Sequence, residues 1–291
     1  MDKVKRKHRK KLRLNRSAGG NVAINIMLCL MGTFMILPMV YAISNSIKPL
    51  SELWIYPPRF FAENPTLINF KNLFNMMNDS WVPFSRYLAN TLFISIVGTV
   101  GHVFLSSLCA YALAKHDFPG REFLFKMVVF SLMFSAVVTG VPNYLIMAKL
   151  HLIDTHWSII LPAFASSLGL YLMKQFMEAN IPDSLIEAAH IDGAKEGTVF
   201  FHVVMPLVKP AWLTLMIFSF QSLWGVQSTS TIRSEELKTL SYALSQVVTG
   251  GIARQGAAAA ASVIMMIVPV IVFVVTQSNI VETVATSGMK D

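Results

Sequence analysis

Six stretches of the chain, 22–44, 88–113, 124–147, 158–176, 210–227 and 257–277, reach the length of apolar sequence that membrane crossing requires. A helix needs roughly 20 such residues to cross a hydrocarbon layer of about 30 Å. The pattern therefore predicts an all-α membrane protein with six transmembrane helices. Pro38 and Pro269 fall inside the first and last stretches, and Gly140 with Pro142 falls inside the third. Breaks at these points are expected, leaving carbonyls that protein or cavity water must satisfy. Such breaks suit helices that line a path, and equally kinks that improve packing. Gly256 and the run Ala257 to Ala261 open the last stretch with small side chains, which let helices approach closely.

The polar interval 177–209 stands apart from this pattern. Its segment DSLIEAAHIDGAKEGTVFFHVVMPLVKP, Asp183 to Pro210, reads as two short helices meeting at a glycine turn. Ser184 three residues before Glu187 has capping-box spacing, and Pro182 sits where a first helical turn tolerates a missing N–H. Gly193 can end this helix with a positive φ. A second helix is expected from about Thr198, exposing Val199, Phe200 and Val203 on one side until Pro206 and Pro210 stop it. Ala188, Ala189 and Ala194 keep the turn slim, and Glu187 and Asp192 place charge at its edges. The result is a compact knob that another protein's backbone can approach.

Composition strengthens the membrane reading: 291 residues are 54% hydrophobic and 14% charged, with mean hydropathy +0.54. Charge is concentrated at the start. Nine Lys or Arg within residues 1–16 stand against Asp2 alone, giving that arm +8, the formal net charge of the whole chain. The arm has no interleaved aromatics and precedes an apolar span, so nucleic acid is excluded as a partner. It is expected to hold the N-terminus in the cytoplasm and to touch anionic lipid headgroups. From that start, the loop with Lys115, Arg121 and Lys126, the knob with Lys174, Lys195 and Lys209, and the tail with Lys290 all return to the cytoplasm. The expected organisation is a basic arm over 1–21, a six-span domain over 22–277 containing the knob at 177–209, and a cytoplasmic tail over 278–291.

Other chemistry is excluded by what is missing. Cys29 and Cys109 lie in apolar runs without metal-ligand spacing, so neither a disulfide framework nor a metal site is indicated. The first apolar run exceeds a signal-peptide core and has no small-residue cleavage site, so it is expected to remain as a span. The central parts of the spans carry no Asp, Glu, Lys or Arg, which argues against ion coupling. His102 is the titratable exception, and packing accounts for it more readily than a proton relay. No G-x-x-x-x-G-K-[ST] phosphate cradle and no catalytic signature occur, so the chain is not expected to be an enzyme.

The residues of the knob resemble a known element. EAAHIDGA with a following Pro206 is similar to the EAA loop of permease subunits in binding-protein-dependent ABC importers. Three further segments, NSIKPLSELWIYPPRFFAENPTLINFKNLF, AKHDFPGREFLF and NYLIMAKLHLIDTHWSIILP, resemble the maltose-type carbohydrate branch, so the resemblance runs from Val22 to Lys290. It implies a type I ABC importer permease fold with both termini cytoplasmic, in a bacterial cell membrane. It also implies that Glu187, Ala188, Ala189, Asp192, Gly193, Ala194 and Pro206 couple to an ATPase. The implied partners are a second, homologous permease chain, two copies of a cytoplasmic ATPase and an extracytoplasmic sugar-binding protein. ATP and Mg belong to the ATPase, and no cofactor to this chain. His190 and the segment LWGVQSTS depart from the family pattern, which bears on the solute contacts. Asn143, Tyr144, Gln221, Trp224 and Gln227 mix aromatic faces with amides and hydroxyls, the chemistry sugars favour, and are candidates for the path or for interface residues. Two alternatives stand: a permease of this architecture for another solute, and a sensory membrane protein whose knob docks a regulator.

Overall fold

The structure is a computed structural model and describes residues 18–287. Most of the basic arm, residues 1–17, and the end of the tail with Lys290 lie outside the described residues. Among the described residues all regular structure is helical. The helices are α1 (Ala18–Ser46), α2 (Leu50–Leu53), α3 (Ile68–Asn78), α4 (Phe84–Lys115), α5 (Arg121–Ser131), α6 (Ala136–Lys149) and α7 (Trp157–Phe164). They continue with α8 (Ser167–Asn180), α9 (Asp183–Ile191), α10 (Glu196–Leu207), α11 (Lys209–Trp224), α12 (Leu240–Val248) and α13 (Gln255–Ser287).

Among the described residues four segments are long and apolar enough to cross a membrane: Gly19–Ser46, Phe84–Lys115, Trp157–Asn180 and Gln255–Gln277. A fifth arises if α10 and α11, bent by 80° at Val208, count as one span. The expected third span, 124–147, is divided between α5 and α6. Its break falls at Leu132–Ser135 and not at Gly140 or Pro142. Leu132, Met133 and Phe134 donate to carbonyls three residues back at 3.1–3.2 Å, tightening the end of α5. Ser131 Oγ meanwhile donates to Ser167 Oγ of α8 at 2.5 Å. Ser135 is extended (φ −73°, ψ 152°), and the new helix starts after it. Pro142 lies inside that helix, as Pro38 and Pro269 lie inside α1 and α13 without interrupting them. A long helix loses one N–H donor at a proline and continues, provided neighbours satisfy the freed carbonyl.

α4 is the shared wall of two cores. On one side Tyr87 joins Leu73 of α3, Phe220 and Trp224 of α11, Leu240 and Leu244 of α12 and Ala260 of α13. On the other side Val103, Ala110 and Tyr111 join Met173 and Met177 of α8, Val199 and Phe200 of α10 and Leu215 of α11. Its buried face is rich in Ser, Gly, Thr and Ala. In a membrane, where lipid is as apolar as leucine, such small residues bring helices near enough for dispersion to hold them. Half-buried Gly101 is the tightest glycine on α4: a Cβ there would lie 2.2 Å from the Phe164 ring.

The polar link from α1 to α3 is tied down by buried polar groups. Lys48 Nζ donates to Asn45 Oδ1 at 2.8 Å and to the Arg59 carbonyl at 2.5 Å. The Glu52 carboxylate accepts from the Glu63 and Asn64 amides at 3.1 and 3.0 Å and from Asn64 Nδ2 at 2.9 Å. Asn69 Nδ2 donates to the Ser46 and Lys48 carbonyls at 2.9 and 2.7 Å.

Candidate coupling site and solute path

The knob forms as two helices about Gly193, with corrections to its ends. Pro182 (φ −65°, ψ 140°) is the residue before the first turn and α9 begins at Asp183, so Ser184 lies inside the helix and the expected capping box with Glu187 is not formed. The ring of Pro182 presets the entry, and Asp183 is held from outside by Lys115 Nζ at 2.7 Å. At the other end Gly193 has φ +81°. Its N–H reaches the His190 carbonyl at 3.0 Å, and the Ala194 N–H reaches the Ala189 carbonyl at 3.0 Å. This pair of bonds satisfies the last carbonyls of α9 and requires a left-handed residue between them.

α10 starts at Glu196, two residues before the expected Thr198, and its Val199–Val204 turn is π-helical. The expectation that Val199 and Phe200 are exposed is wrong. Both are buried with Val204 against α4 and α8, and Val203 packs against the same cluster. An apolar face at helical spacing is as readily a packing face as a docking face, and two neighbouring helices claim it here. What faces outward is the other side of the turn. Glu187, Ala188, Asp192, Gly193 and Pro206 are exposed, Ala189 and Ala194 are half-buried, and Ile191 is 86% exposed. The tip of the knob about Gly193 thus offers the Ile191 side chain, a slim alanine-glycine edge and the Glu187 and Asp192 carboxylates.

Residues outside the motif hold the knob in place. Lys115, the last residue of α4, is almost fully buried and donates to the Ile181 carbonyl at 2.5 Å as well as to Asp183. That hydrogen bond, and then the ammonium charge, keep the Asp183 carboxyl below the usual carboxylate range against a desolvation that raises it. Glu196 is a second anchor. One carboxylate oxygen accepts from Tyr111 Oη at 3.0 Å and lies 3.4 Å from His116 Nε2. The other lies 3.2 Å from His190 Nε2, whose Nδ1 is 3.2 Å from the Ala194 carbonyl. His190, a departure from the motif, closes the joint. Sequence spacing gave no signal for the ties of Lys115 and Tyr111, because their partners are 66 to 85 residues away.

The path candidates do not converge. Asn143 and Tyr144 are half-buried on α6, and Arg233 Nη2 donates to Tyr144 Oη at 3.4 Å. Arg233 belongs to a loop gripped by Asp154 (φ +64°), whose Oδ1 accepts from the Arg233 and Ser234 amides at 2.8 Å each. Ser234, through its hydroxyl and then its amide, holds the Asp154 carboxyl below its ordinary range. Gln221 and Gln227 are exposed on and beyond the end of α11. Trp224 is 1% exposed, stacks on Phe220 at 5.9 Å and donates its Nε1–H to the Met265 carbonyl at 3.1 Å. The structure places its indole in the seam between α11 and α13, whereas Gln221, one turn earlier on α11, is exposed. Among the described residues no cluster of His, Cys, Asp and Glu is arranged to hold a metal ion.

A helical membrane bundle with a knob braced by α4 defines the class of protein, and sequence comparison gives the family. The chain belongs to the binding-protein-dependent transport system inner membrane components, matching that family over residues 23–285. Protein LplC of Bacillus subtilis (strain 168) is 35% identical over 199 residues, 67% of this chain and 63% of LplC. The chain thus spans less than two thirds of that relative. The arabinooligosaccharides transport system permease protein AraQ of the same organism is 26% identical over 271 residues, 92% of this chain and 95% of AraQ. Among solved structures, a bacterial ABC transporter involved in the import of the acidic polysaccharide alginate has a chain that superposes with a TM-score of 0.75 at 24% identity. That match covers 91% of this chain and 99% of the other. The chain is accordingly a multi-pass membrane protein with an ABC importer permease fold.

Proposed function

We propose that the chain is the permease subunit of an ATP-driven importer that takes up carbohydrate, an oligosaccharide, delivered by an extracytoplasmic binding protein. The observation that carries the reading is the knob about Gly193, exposed at its tip and bolted to the bundle at both helix starts. A bare docking edge on a rigid mount is what a chain without a nucleotide site needs in order to receive force from one that has it. The carbohydrate assignment draws support from AraQ, a permease protein named for arabinooligosaccharide transport, and from the alginate importer. In this reading the knob faces the cytoplasm and seats on one of two ATPase copies, which hold ATP and Mg. A second, homologous permease completes the pathway. The chain crosses a bacterial cell membrane six times, with α5 and α6 together making the third crossing and both ends in the cytoplasm. Closure of the ATPase pair displaces the knob, rocks the helices and opens the path toward the binding protein, and hydrolysis returns it.

The test is a reconstituted complex in proteoliposomes. Glu187→Ala, which removes an exposed charge that supports no fold contact, lowers sugar delivered per ATP hydrolysed by about tenfold, the loss of one charge-assisted contact. Sugar delivery at the wild-type ratio rules out the knob as the joint. Gentle detergent extraction that retains no ATPase with the chain favours a sensory role instead.

A further inference from the structure

Among the described residues every membrane-length segment except α4 contains a proline or a joint: Pro38 in α1, Pro162 and a joint between α7 and α8, Pro269 in α13, and the 80° bend between α10 and α11. α4 is a single run of 32 residues without proline. At 1.5 Å per residue it is about 48 Å long, more than the thickness of the hydrocarbon layer. Packing between α11 and α8, with Gly101 pressed onto Phe164, resists bending.

Both of its ends are fastened to segments that carry no regular span. Near the knob, Lys115 holds the start of α9 and Tyr111 holds Glu196 at the start of α10. At the opposite end, Tyr87 Oη donates to Glu235 Oε1 at 2.8 Å, and Asn90 Nδ2 donates to the Glu236 and Lys238 carbonyls at 2.7 and 3.0 Å. The Leu240 amide donates to Thr91 Oγ1 at 2.7 Å, and that site is buried. Helix α4 therefore grips the 235–240 segment as well as the knob, the two sets of ties lying 20 to 28 residues apart along one helix.

We propose that α4 is a rod joining the coupling knob to the 235–240 segment across the membrane. Lys115 and Tyr111 are its inner positioning residues, and Tyr87, Asn90 and Thr91 its outer ones. The inference rests on the permease reading and adds the route by which the two faces communicate. A displacement of the knob by the ATPase is delivered to the outer loop without passing through the bent α10–α11 pair. By linkage, engagement of the outer loop by the binding protein biases the knob to the same extent.

The experiment uses the full complex with the second permease, ATPase and binding protein in nanodiscs. It reads the ratio of binding-protein-stimulated to unstimulated ATP hydrolysis. Lys115→Met and Thr91→Val, at opposite ends, each lower that ratio about tenfold, and the double variant is no lower than either alone, because a rod released at one end transmits nothing further. Lys115→Arg and Thr91→Ser restore it. If either disruptive variant fails to assemble, Tyr111→Phe and Tyr87→Phe remove one hydroxyl each and replace it in the same design. Losses that multiply in the double variant, or ratios within twofold of wild type, overturn the rod. A wild-type complex that shows no stimulation at all overturns the permease reading beneath it.

Discussion

Gly193 and Gly197 stand four residues apart in the knob, and a Cβ at either would meet nothing within 4 Å. Alanine at the two positions therefore differs in backbone alone. Gly193 has φ +81°, where an L-residue is disfavoured by about 1–2 kcal/mol. Gly197 lies in α10 with ordinary helical geometry, where alanine is favoured over glycine by about 0.5–1 kcal/mol. The Ala194 amide reports on the first site, since its bond to the Ala189 carbonyl closes only across a left-handed residue. At about 1.4 kcal/mol per factor of ten, Gly193→Ala speeds exchange of that amide roughly 5- to 30-fold when it exchanges through local opening. Gly197→Ala slows exchange in the first turns of α10 by roughly two- to fivefold on the same scale. Gly193→Asn, which tolerates positive φ, falls between wild type and alanine. Hydrogen exchange read by mass spectrometry on the detergent-solubilised chain distinguishes these cases. Equal protection of Ala194 in wild type and Gly193→Ala, or the same sign at both glycines, would refute the claim that the joint is set by backbone conformation.

Gly101→Ala places a methyl 2.2 Å from Phe164 Cε1, so overpacking lowers stability by about 1–3 kcal/mol, measured as a fall in thermal midpoint in detergent. Phe164→Leu in the same chain recovers part of the loss, and an unchanged midpoint in the single variant would show that the ring moves aside freely. The depressed Asp154 carboxyl makes the Arg233–Ser234 loop acid-sensitive. Its stabilising contribution is complete above the unfolded carboxylate value, about 4, and is lost as pH falls through the lower folded value. Amide exchange at Arg233 and Ser234, corrected for intrinsic rate, rises over that acid window in wild type, and Asp154→Asn abolishes the dependence. A wild-type loop indifferent to acid contradicts the assignment.

Much of the helical order was legible because long apolar runs admit few alternatives. The expected 88–113, 210–227 and 257–277 fall within a few residues of α4, α11 and the apolar part of α13. The turn at Gly193 was legible for a different reason: glycine after a helical run, with small neighbours, points to a left-handed cap. The break at Leu132–Ser135 was not legible, since it contains neither glycine nor proline, and the contact beside it joins Ser131 to Ser167, 36 residues away. The breaks expected at Pro38, Pro142 and Pro269 do not form, because a long helix that loses one N–H donor can continue through the proline. Trp224 shows the same limit from the side-chain end. An indole beside amides describes a sugar platform and a buried seam equally well, and only its burial against Met265 decides between them. The braces on the knob, Lys115 and Glu196, joined residues too far apart in sequence for any periodicity to reveal.

The link between α1 and α3 carries a consequence for association. Lys48, Glu52 and Asn69 have already fixed some twenty residues of connecting chain, so that stretch has surrendered its conformational freedom before anything touches it. At about 1–2 kcal/mol of backbone ordering per residue, a visitor landing on a slack tether of that length would forfeit much of its binding free energy. On this shelf it forfeits little, and even a small, briefly held footprint can be selective.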